Sequence, residues 1–216
     1  MKVKSVIFDL DGTLLNTLET IMECNNEVFK KHGYPARTLL EFRNFVGDGM
    51  KMLIKKALPA GTTDEEIGQI LLEVIETYHK KGTDSIPPYD GICELLDNLV
   101  QKGIKISVLT NKEHGYAQLN MKAALNRFHF EAVLGERKGI PMKPDPFGVY
   151  EIVEITGVPL EETVFVGDMK ADILTGKNAG IFTVGCLWGF GNKKDLEDNG
   201  ADLLIEHPLE LLRIVD

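Results

Sequence analysis

Short apolar runs alternate with helical stripes along most of the chain. The runs are rich in β-branched residues and end abruptly in polar residues, which is typical of buried parallel strands. Four of them cover residues 3–8, 104–109, 163–166 and 181–184. Apolar positions three or four residues apart predict helices over residues 92–100 and 147–153. This alternation of strand and helix predicts an α/β fold with a doubly wound parallel sheet of the Rossmann-like kind.

One long segment, residues 16–87, breaks this alternation because it carries helical stripes and no convincing strand. The stripes cover residues 18–29, 53–58 and 67–78. Thr63 and Glu66 have the spacing of a capping box at the start of the third stripe. We therefore predict a core formed by residues 1–15 and 88–216, with a helical cap inserted over residues 16–87.

Composition narrows the classes of protein that this chain can represent. A length of 216 residues corresponds to about one domain. With 44% hydrophobic and 26% charged residues, the chain has ordinary globular composition, and its apolar runs are too short to span a bilayer. The net charge of −9 disfavours nucleic-acid and membrane partners. Three scattered cysteines favour reduced thiols, so we expect a cytoplasmic protein with a small-molecule partner.

Two carboxylates follow the first predicted strand directly. Asp9 and Asp11 stand two residues apart, and Gly12 permits a tight turn after them. Ligands bind at the carboxyl ends of strands in open α/β sheets. One carboxylate there can attack a phosphoryl group, while the other protonates the leaving oxygen and later activates water. Taken alone, however, this segment is equally well explained as an ordinary turn.

Other predicted strands and loops also end in polar residues suited to a phosphate site. These residues are Thr110, Asn111, Lys143, Asp168 and Asp172. If the strands lie side by side, their acids come together, which is costly unless a cation compensates. Hard oxygen ligands favour Mg²⁺. Lys143, in a loop stiffened by two prolines, would offset the remaining charge and hold the phosphoryl group.

In order and spacing, four segments resemble the four motifs of the haloacid dehalogenase superfamily. The segments are residues 9–13, 110–111, 143–146 and 167–172. Within that superfamily the chain is similar to the phosphoglycolate phosphatase group, which carries a helical cap between the first two motifs. Residues 188–191, Trp-Gly-Phe-Gly, are also similar to that group. The match runs the length of the chain, and the four motifs together are highly specific.

The resemblance implies a role for each motif residue. Asp9 would be the nucleophile and Asp11 the general acid and base. Thr110 and Asn111 would position phosphate and substrate, and Lys143 would stabilise the aspartyl phosphate. Because a general acid two residues after the nucleophile suits phosphoryl transfer, dehalogenation is disfavoured. The expected reaction is hydrolysis of a phosphate monoester of a small anionic metabolite, with 2-phosphoglycolate as the first guess.

The resemblance also implies a magnesium site. Mg²⁺ would be held by the carboxylates of Asp9 and Asp168 and by the backbone carbonyl of Asp11, with Asp172 as a close supporting acid. One residue departs from the family pattern, since Met169 stands where Ser or Thr is usual. A thioether cannot replace the hydrogen bond of a hydroxyl group. This departure concerns the surroundings of the metal and leaves the ligands themselves unchanged.

The candidate contacts to the rest of the substrate lie in the cap. Residues 45–50 form a turn with two glycines, which precedes the second helical stripe. Backbone N–H groups there, at Gly47, could bind a substrate carboxylate with help from Arg43. A plain turn between helices is an equally good interpretation. The complete set of candidate phosphate- and substrate-binding residues is Thr110, Asn111, Lys143, Gly12, Arg43 and Gly47.

Other functions use related chemistry. A β-phosphoglucomutase-like enzyme would return the phosphoryl group to a sugar, and a pyrophosphatase would cleave an anhydride. A phosphoacceptor or metabolite-sensing module would hold the phosphoryl group or the ligand without turnover. Receivers of that kind are much shorter and lack a helical insertion after the first strand. Asp11 also argues against a long-lived phosphoaspartate, because a general base promotes its hydrolysis.

Overall fold

The computed structural model describes residues 2–81 and 86–215. Within these residues one parallel sheet is formed by β1 (Ser5–Phe8), β2 (Lys105–Glu113), β3 (Ala132–Glu136), β4 (Thr163–Gly167), β5 (Phe182–Cys186) and β6 (Leu203–Ile205). The strand order is β3-β2-β1-β4-β5-β6, and neighbouring strands pair in parallel. The predicted doubly wound α/β sheet is thereby confirmed.

Helices connect the strands and cover the sheet. They are α1 (Leu18–Lys31), α2 (Leu39–Phe45), α3 (Met50–Ala57), α4 (Asp64–Lys81), α5 (Ile92–Gln101), α6 (His114–Ala124), α7 (Phe147–Thr156), α8 (Lys170–Ala179), α9 (Lys193–Asp198) and α10 (Leu212–Val215). Short 3₁₀ turns occupy Leu160–Glu162 and Pro208–Leu211. None of the described helices is long and apolar enough to cross a membrane.

The central strands are apolar because both faces of the sheet are covered. Alternate residues point to opposite faces of a strand. Accordingly Phe8 and Val166 belong to one hydrophobic cluster, whereas Ile7 and Phe165 belong to the other. The chain order reverses beside β1, since β2 and β3 lie on one side of it and β4 on the other. Such a reversal forms a crevice at the carboxyl ends of the two strands, where ligands bind in α/β sheets.

The cap, which we define as helices α1–α4, is inserted between β1 and α5. Leu15 and Pro88 form an antiparallel bridge where the chain leaves and re-enters the core. The Tyr89 N–H donates to the Leu14 carbonyl over 3.1 Å. The boundaries given above for the cap, residues 16–87, stay a prediction, and residues 82–85 of that range lie outside the described residues.

Within the cap, the predicted helical stripes correspond to α1, α3 and α4. Of the predicted capping box, the bond from the Glu66 N–H to Thr63 Oγ1 is present, over 3.2 Å. The Glu66 carboxylate accepts from the Tyr34 hydroxyl over 2.5 Å. Helix α2 was not predicted, although Thr38 and Glu41 form a complete capping box at its start. Strands β3 and β6 were not predicted either, and β2 extends past the predicted residues 104–109.

Candidate active site

The first motif turns sharply where β1 ends. Asp9 is buried, and its N–H donates to the Val166 carbonyl over 2.9 Å, so the pairing of β1 with β4 continues to this residue. Gly12 has a φ of 90°, in the region that favours glycine. A Cβ atom at Gly12 would lie 2.4 Å from Asp168 Oδ2. Glycine is therefore required here by the backbone and by the close approach of Asp168.

Asp168 is fully buried at the end of β4, and both of its carboxylate oxygens accept hydrogen bonds. Oδ1 accepts from the Thr13 hydroxyl over 2.9 Å, and Oδ2 accepts from the Phe190 N–H over 2.8 Å. A Cβ atom at Gly189 would lie 2.4 Å from Asp168 Cβ. The glycines of the Trp-Gly-Phe-Gly segment thus let the loop after β5 pack directly on this acid.

Lys143 lies between two acids. Its Nζ donates to Asp9 Oδ1 over 2.7 Å and to Asp172 Oδ1 over 2.6 Å. Asp172 lies in the first turn of α8, where its second oxygen accepts from the Met169 N–H over 2.8 Å. Although burial opposes it, the carboxylates of Asp172 and Asp9 raise the pKa of Lys143. This ammonium group is therefore charged and fixed by ion pairs at the carboxyl end of the sheet.

Three buried acids form a cluster whose composition fits a divalent cation. Oxygen atoms of Asp9, Asp168 and Asp172 lie within 4.8 Å of one another. Burial raises the pKa of Asp9 to about 7 and that of Asp168 to about 8. In the ionised state, three carboxylates and the single ammonium of Lys143 leave two uncompensated negative charges. Hard oxygen ligands with this charge suit a cation such as Mg²⁺.

The second motif lies on an irregular part of β2. The register between β2 and β3 shifts between Leu109 and Glu113. In this stretch the Asn111 amide nitrogen donates to the Lys143 carbonyl and the Gly47 carbonyl, each over 3.1 Å. Asn111 Oδ1 accepts from the Lys143 N–H over 2.9 Å. The Asn111 side chain therefore holds the Lys143 loop and contacts the cap.

Sequence reasoning missed Lys112, the next residue on β2. Its Nζ donates to the two oxygens of Asp11 over 3.0 and 3.2 Å and to the Tyr78 hydroxyl over 2.9 Å. The Lys112 side chain is only 6% exposed, and that of Asp11 is 20% exposed. The available signal was a lysine next to Thr110 and Asn111 at the carboxyl end of a strand. Since Tyr78 belongs to α4, Lys112 joins the acid to the cap.

A cavity of about 600 Å³ lies between the acids and the cap. The structure brings most of the predicted residues to its wall, namely Asp9, Asp11, Thr110, Asn111, Lys143, Asp172 and Gly47. Gly12 and Asp168 do not line it. Asp168 is instead covered by the first-motif turn and by the loop after β5.

Arg43, like Gly12, is a predicted substrate-binding residue that does not line the cavity. Its Nε donates to the Phe190 carbonyl over 2.6 Å, and one terminal nitrogen donates to the carbonyls of Gly189 and Gly191 over 3.1 and 3.3 Å. The guanidinium group is thus directed to the loop after β5. The Arg43 side chain is therefore outside the lining of the cavity, and its contact with a substrate carboxylate stays a prediction.

The unusual Met169 packs between the fourth motif and the cap. A Cβ atom at Gly47 would lie 2.9 Å from Met169 Cε. The Met169 side chain therefore reaches the cap turn, and it lines the cavity beside Asp172. The methionine supplies a van der Waals contact to the cap in place of a hydroxyl group.

The chain is similar in sequence to known phosphatases. A phosphoglycolate phosphatase from Pseudomonas savastanoi pv. phaseolicola is 28% identical over 97% of this chain and 78% of its own length. The N-acetylmuramic acid 6-phosphate phosphatase of Pseudomonas aeruginosa is 28% identical over 100% of this chain and 96% of its own.

The fold is also found among solved structures. A crystal structure from Lactobacillus delbrueckii subsp. bulgaricus superposes with a TM-score of 0.92 at 28% identity, covering 100% of this chain and 99% of that one. A haloacid dehalogenase-like family protein from Streptococcus pneumoniae has a TM-score of 0.89 at 24% identity, with 99% of both chains covered. The family model described as haloacid dehalogenase-like hydrolase matches residues 6–186. The sheet order, the acid cluster and these matches lead to one conclusion: the chain belongs to the haloacid dehalogenase-like hydrolase family.

Proposed function

We propose that this protein is a Mg²⁺-dependent phosphomonoester hydrolase that works through an aspartyl-phosphate intermediate. The observation that carries the proposal is the position of Asp9, which lines the cavity, is bonded to Lys143 and lies within 4.8 Å of two further acids. Such a carboxylate can act as a nucleophile towards a phosphoryl group. Asp11, which lines the same cavity, supplies the general acid and base.

The reaction proceeds in two displacements. An Asp9 carboxylate oxygen attacks phosphorus, the ester P–O bond breaks, and the leaving alkoxide takes a proton from Asp11. Asp11 then removes a proton from water, whose oxygen attacks the aspartyl phosphate and releases inorganic phosphate with the Asp9 carboxylate restored. Throughout, the Lys143 ammonium faces Asp9 and offsets the negative charge of the Asp9 carboxylate and of the phosphoryl group next to it.

Magnesium would be held by the carboxylates of Asp9 and Asp168 and by the Asp11 carbonyl, with Asp172 supporting them. When bound, Mg²⁺ supplies positive charge to the phosphoryl oxygens and allows the acids to remain ionised. The raised pKa values of Asp9 and Asp168 support this assignment, because these acids lack a full complement of positive charge in the protein alone.

The proposed substrate is the monophosphate ester of a small anionic metabolite, and 2-phosphoglycolate is the first one to test. The resemblance of the motifs to the phosphoglycolate phosphatase group supports this choice, as does the name of the relative from Pseudomonas savastanoi. The relative from Pseudomonas aeruginosa is also named for a phosphate monoester. We place the reaction in the cytoplasm, in keeping with three free cysteines among the described residues.

Phosphate release from a panel of esters tests the proposal. The panel holds 2-phosphoglycolate, sugar phosphates, nucleotides and pyrophosphate, each with Mg²⁺ or with EDTA. We expect Mg²⁺-dependent release from at least one monoester, and the Asp9→Asn variant should lose activity by on the order of 10³-fold or more. Asp198→Asn, a change at an exposed acid of α9, is the matched control and should retain full activity.

Four results would contradict the proposal. A correctly folded Asp9→Asn variant with full activity would exclude Asp9 as the nucleophile. An isomerised sugar phosphate without free phosphate would indicate a mutase, and selective cleavage of pyrophosphate would indicate a pyrophosphatase. A stable phosphoaspartate without turnover would indicate a phosphoacceptor module.

A further inference from the structure

The wall of the cavity that faces the acids is apolar. Side chains from three cap helices form it, namely Ile21 of α1, Leu53 of α3, and Leu71, Val74 and Ile75 of α4. Leu71 and Ile75 stand one turn apart on α4 and are only half-buried by the protein. Because both side chains line the cavity, part of their remaining surface is available to an occupant.

The buried cations around the cavity already have anionic partners. Lys143 pairs with Asp9 and Asp172, and Lys112 pairs with Asp11. Two further cationic residues that line the cavity, Lys51 and Lys138, are exposed.

Arg137, which also lines the cavity, donates through both terminal nitrogens to the Glu151 carboxylate, over 2.8 and 2.5 Å. Among the described residues, therefore, the inner face of the cap offers an occupant no buried, unpaired cation. A substrate carboxylate packed against Leu71 and Ile75 would be desolvated by apolar side chains, which is unfavourable.

The apolar wall is held over the acids by direct contacts. The Tyr116 hydroxyl of α6 donates to the Ile75 carbonyl over 2.7 Å, and Lys112 donates to Tyr78 over 2.9 Å. A third contact joins Asn111 to Gly47 over 3.1 Å. The cavity beneath this wall has a volume of about 600 Å³, which suits a ligand considerably larger than glycolate.

We propose that the alcohol part of the substrate carries apolar surface of several carbon atoms, as an alkyl, aryl or acyl-bearing alcohol does. This inference rests on the proposed phosphatase activity, and it selects a different substrate class from the small anionic metabolite proposed above. The phosphate group lies at Asp9 and Lys143, while the alcohol part packs on Leu71 and Ile75. Within the class of phosphate monoesters, 2-phosphoglycolate is then a poor substrate because its carboxylate faces the apolar wall.

A series of n-alkyl phosphates from methyl to hexyl tests this inference on the full chain with Mg²⁺. Their leaving alcohols have similar basicity, so differences in kcat/KM report the binding of the alkyl chain. We expect kcat/KM to rise about fourfold for each added methylene until the cavity is filled, which is the factor for burying one CH₂ group. In the same assay 2-phosphoglycolate should react more slowly than propyl phosphate.

Two variants of α4 form a matched pair for the same series. Leu71→Arg places a cation on the inner face, so it should flatten the dependence on chain length and raise kcat/KM for 2-phosphoglycolate. Leu72→Arg makes the same change on the outer face, where the side chain is 68% exposed, and should leave both quantities as in the wild type. If Leu71→Arg does not fold by circular dichroism, Leu71→Asn replaces it and should also flatten the dependence.

The outcomes separate this inference from the proposed function. An active wild-type enzyme whose kcat/KM does not change with chain length, or that prefers 2-phosphoglycolate to propyl phosphate, overturns the inference and leaves the phosphatase activity intact. An equal response of Leu71→Arg and Leu72→Arg also overturns it. Absence of phosphate release from every ester, with a folded protein and Mg²⁺ present, contradicts the phosphatase activity itself.

Discussion

At the scale of single residues, Lys112 has a positioning role in the proposed reaction. A general acid must present its carboxyl group to the leaving oxygen, and geometry decides whether it can do so. The Lys112 ammonium contacts both oxygens of Asp11, over 3.0 and 3.2 Å, and is itself held by Tyr78. Lys112 therefore acts through Asp11 and fixes its orientation.

Replacing Lys112 by Met should lower kcat by about tenfold or more, because proton transfer by a positioned acid contributes about 10²- to 10⁴-fold and depends on its orientation. KM should change little, since Lys112 donates to Asp11 and not to the substrate. Steady-state kinetics on the best ester of the panel measures both constants. Lys112→Arg, which keeps the charge and the donors, should recover part of kcat.

Lys122→Met, on the exposed side of α6, is the control for this experiment and should keep the kinetic constants of the wild type. A merely structural role for Lys112 would lower the melting temperature of Lys112→Met and leave kcat of the folded fraction unchanged. That result would remove the positioning role.

The positions of the acids could be predicted from the sequence, but most of their contacts could not. Asp9 and Asp168 follow buried strands, and the carboxyl ends of parallel strands meet at one edge of a sheet, so their proximity could be predicted. The contact between Lys112 and Asp11 depends on a register shift between β2 and β3 and on Tyr78 of the cap. Neither the register shift nor the contact with Tyr78 can be predicted from a local sequence pattern. For the same reason the contacts of Arg43 with a distant loop were missed.

At the scale of secondary-structure elements, the strands inside the sheet were predicted and the two edge strands were not. β1 is buried along its whole length and pairs with β2 and β4, so it reads as a continuous apolar run. β3 and β6 each have one neighbour, and β6 has three residues. An edge strand needs apolar residues only where it packs on a helix, which leaves too short a pattern to identify it.

Helix α2 is attached to the core by Arg43. The guanidinium group donates to three backbone carbonyls in the loop that also supplies the Phe190 N–H to Asp168. This connection fixes the cap at one side of the cavity. We expect Arg43→Gln to raise KM several-fold and to speed amide hydrogen exchange in α2, with kcat within about twofold of the wild type.

Hydrogen-exchange mass spectrometry and steady-state kinetics measure these changes. Arg127→Gln is a suitable control, because Arg127 lies outside the cap and forms an exposed ion pair with Asp97. Exchange in α2 that matches the wild type would show that Arg43 does not hold this helix to the core.

At the scale of the whole molecule, the acid cluster makes stability depend on pH and metal. The folded-state pKa values of Asp9 and Asp168, about 7 and about 8, lie above the usual value of 3.8. Between pH 3.8 and about pH 8, the folded chain therefore binds more protons than the unfolded chain. The free energy of unfolding consequently falls as pH rises through this window. Without metal, the melting temperature should decrease from about pH 5 to about pH 8 relative to a variant without this titration.

Asp168→Asn removes one of the two titrating acids, because its amide cannot ionise. Differential scanning calorimetry in EDTA should show a smaller pH dependence for Asp168→Asn than for the wild type. Mg²⁺ should raise the melting temperature of the wild type more at about pH 8 than at about pH 5, since bound cations stabilise the ionised acids. Parallel melting curves for the two proteins across this range would count against the charged cluster.

The paired ends of the insertion have a consequence for how such proteins diversify. Leu15 and Pro88 form a bridge, and the Tyr89 N–H donates to the Leu14 carbonyl. The two segments that connect the cap to the core therefore lie side by side. Because the two ends of the cap are neighbours, the cap is inserted into the core like a long loop. The entropic cost of closing a loop grows only slowly with its length. A foreign cap can therefore be grafted at these two positions without moving β1 or β4. Exchange of the cap would then change which substrates the protein accepts, while the acid cluster stays in place.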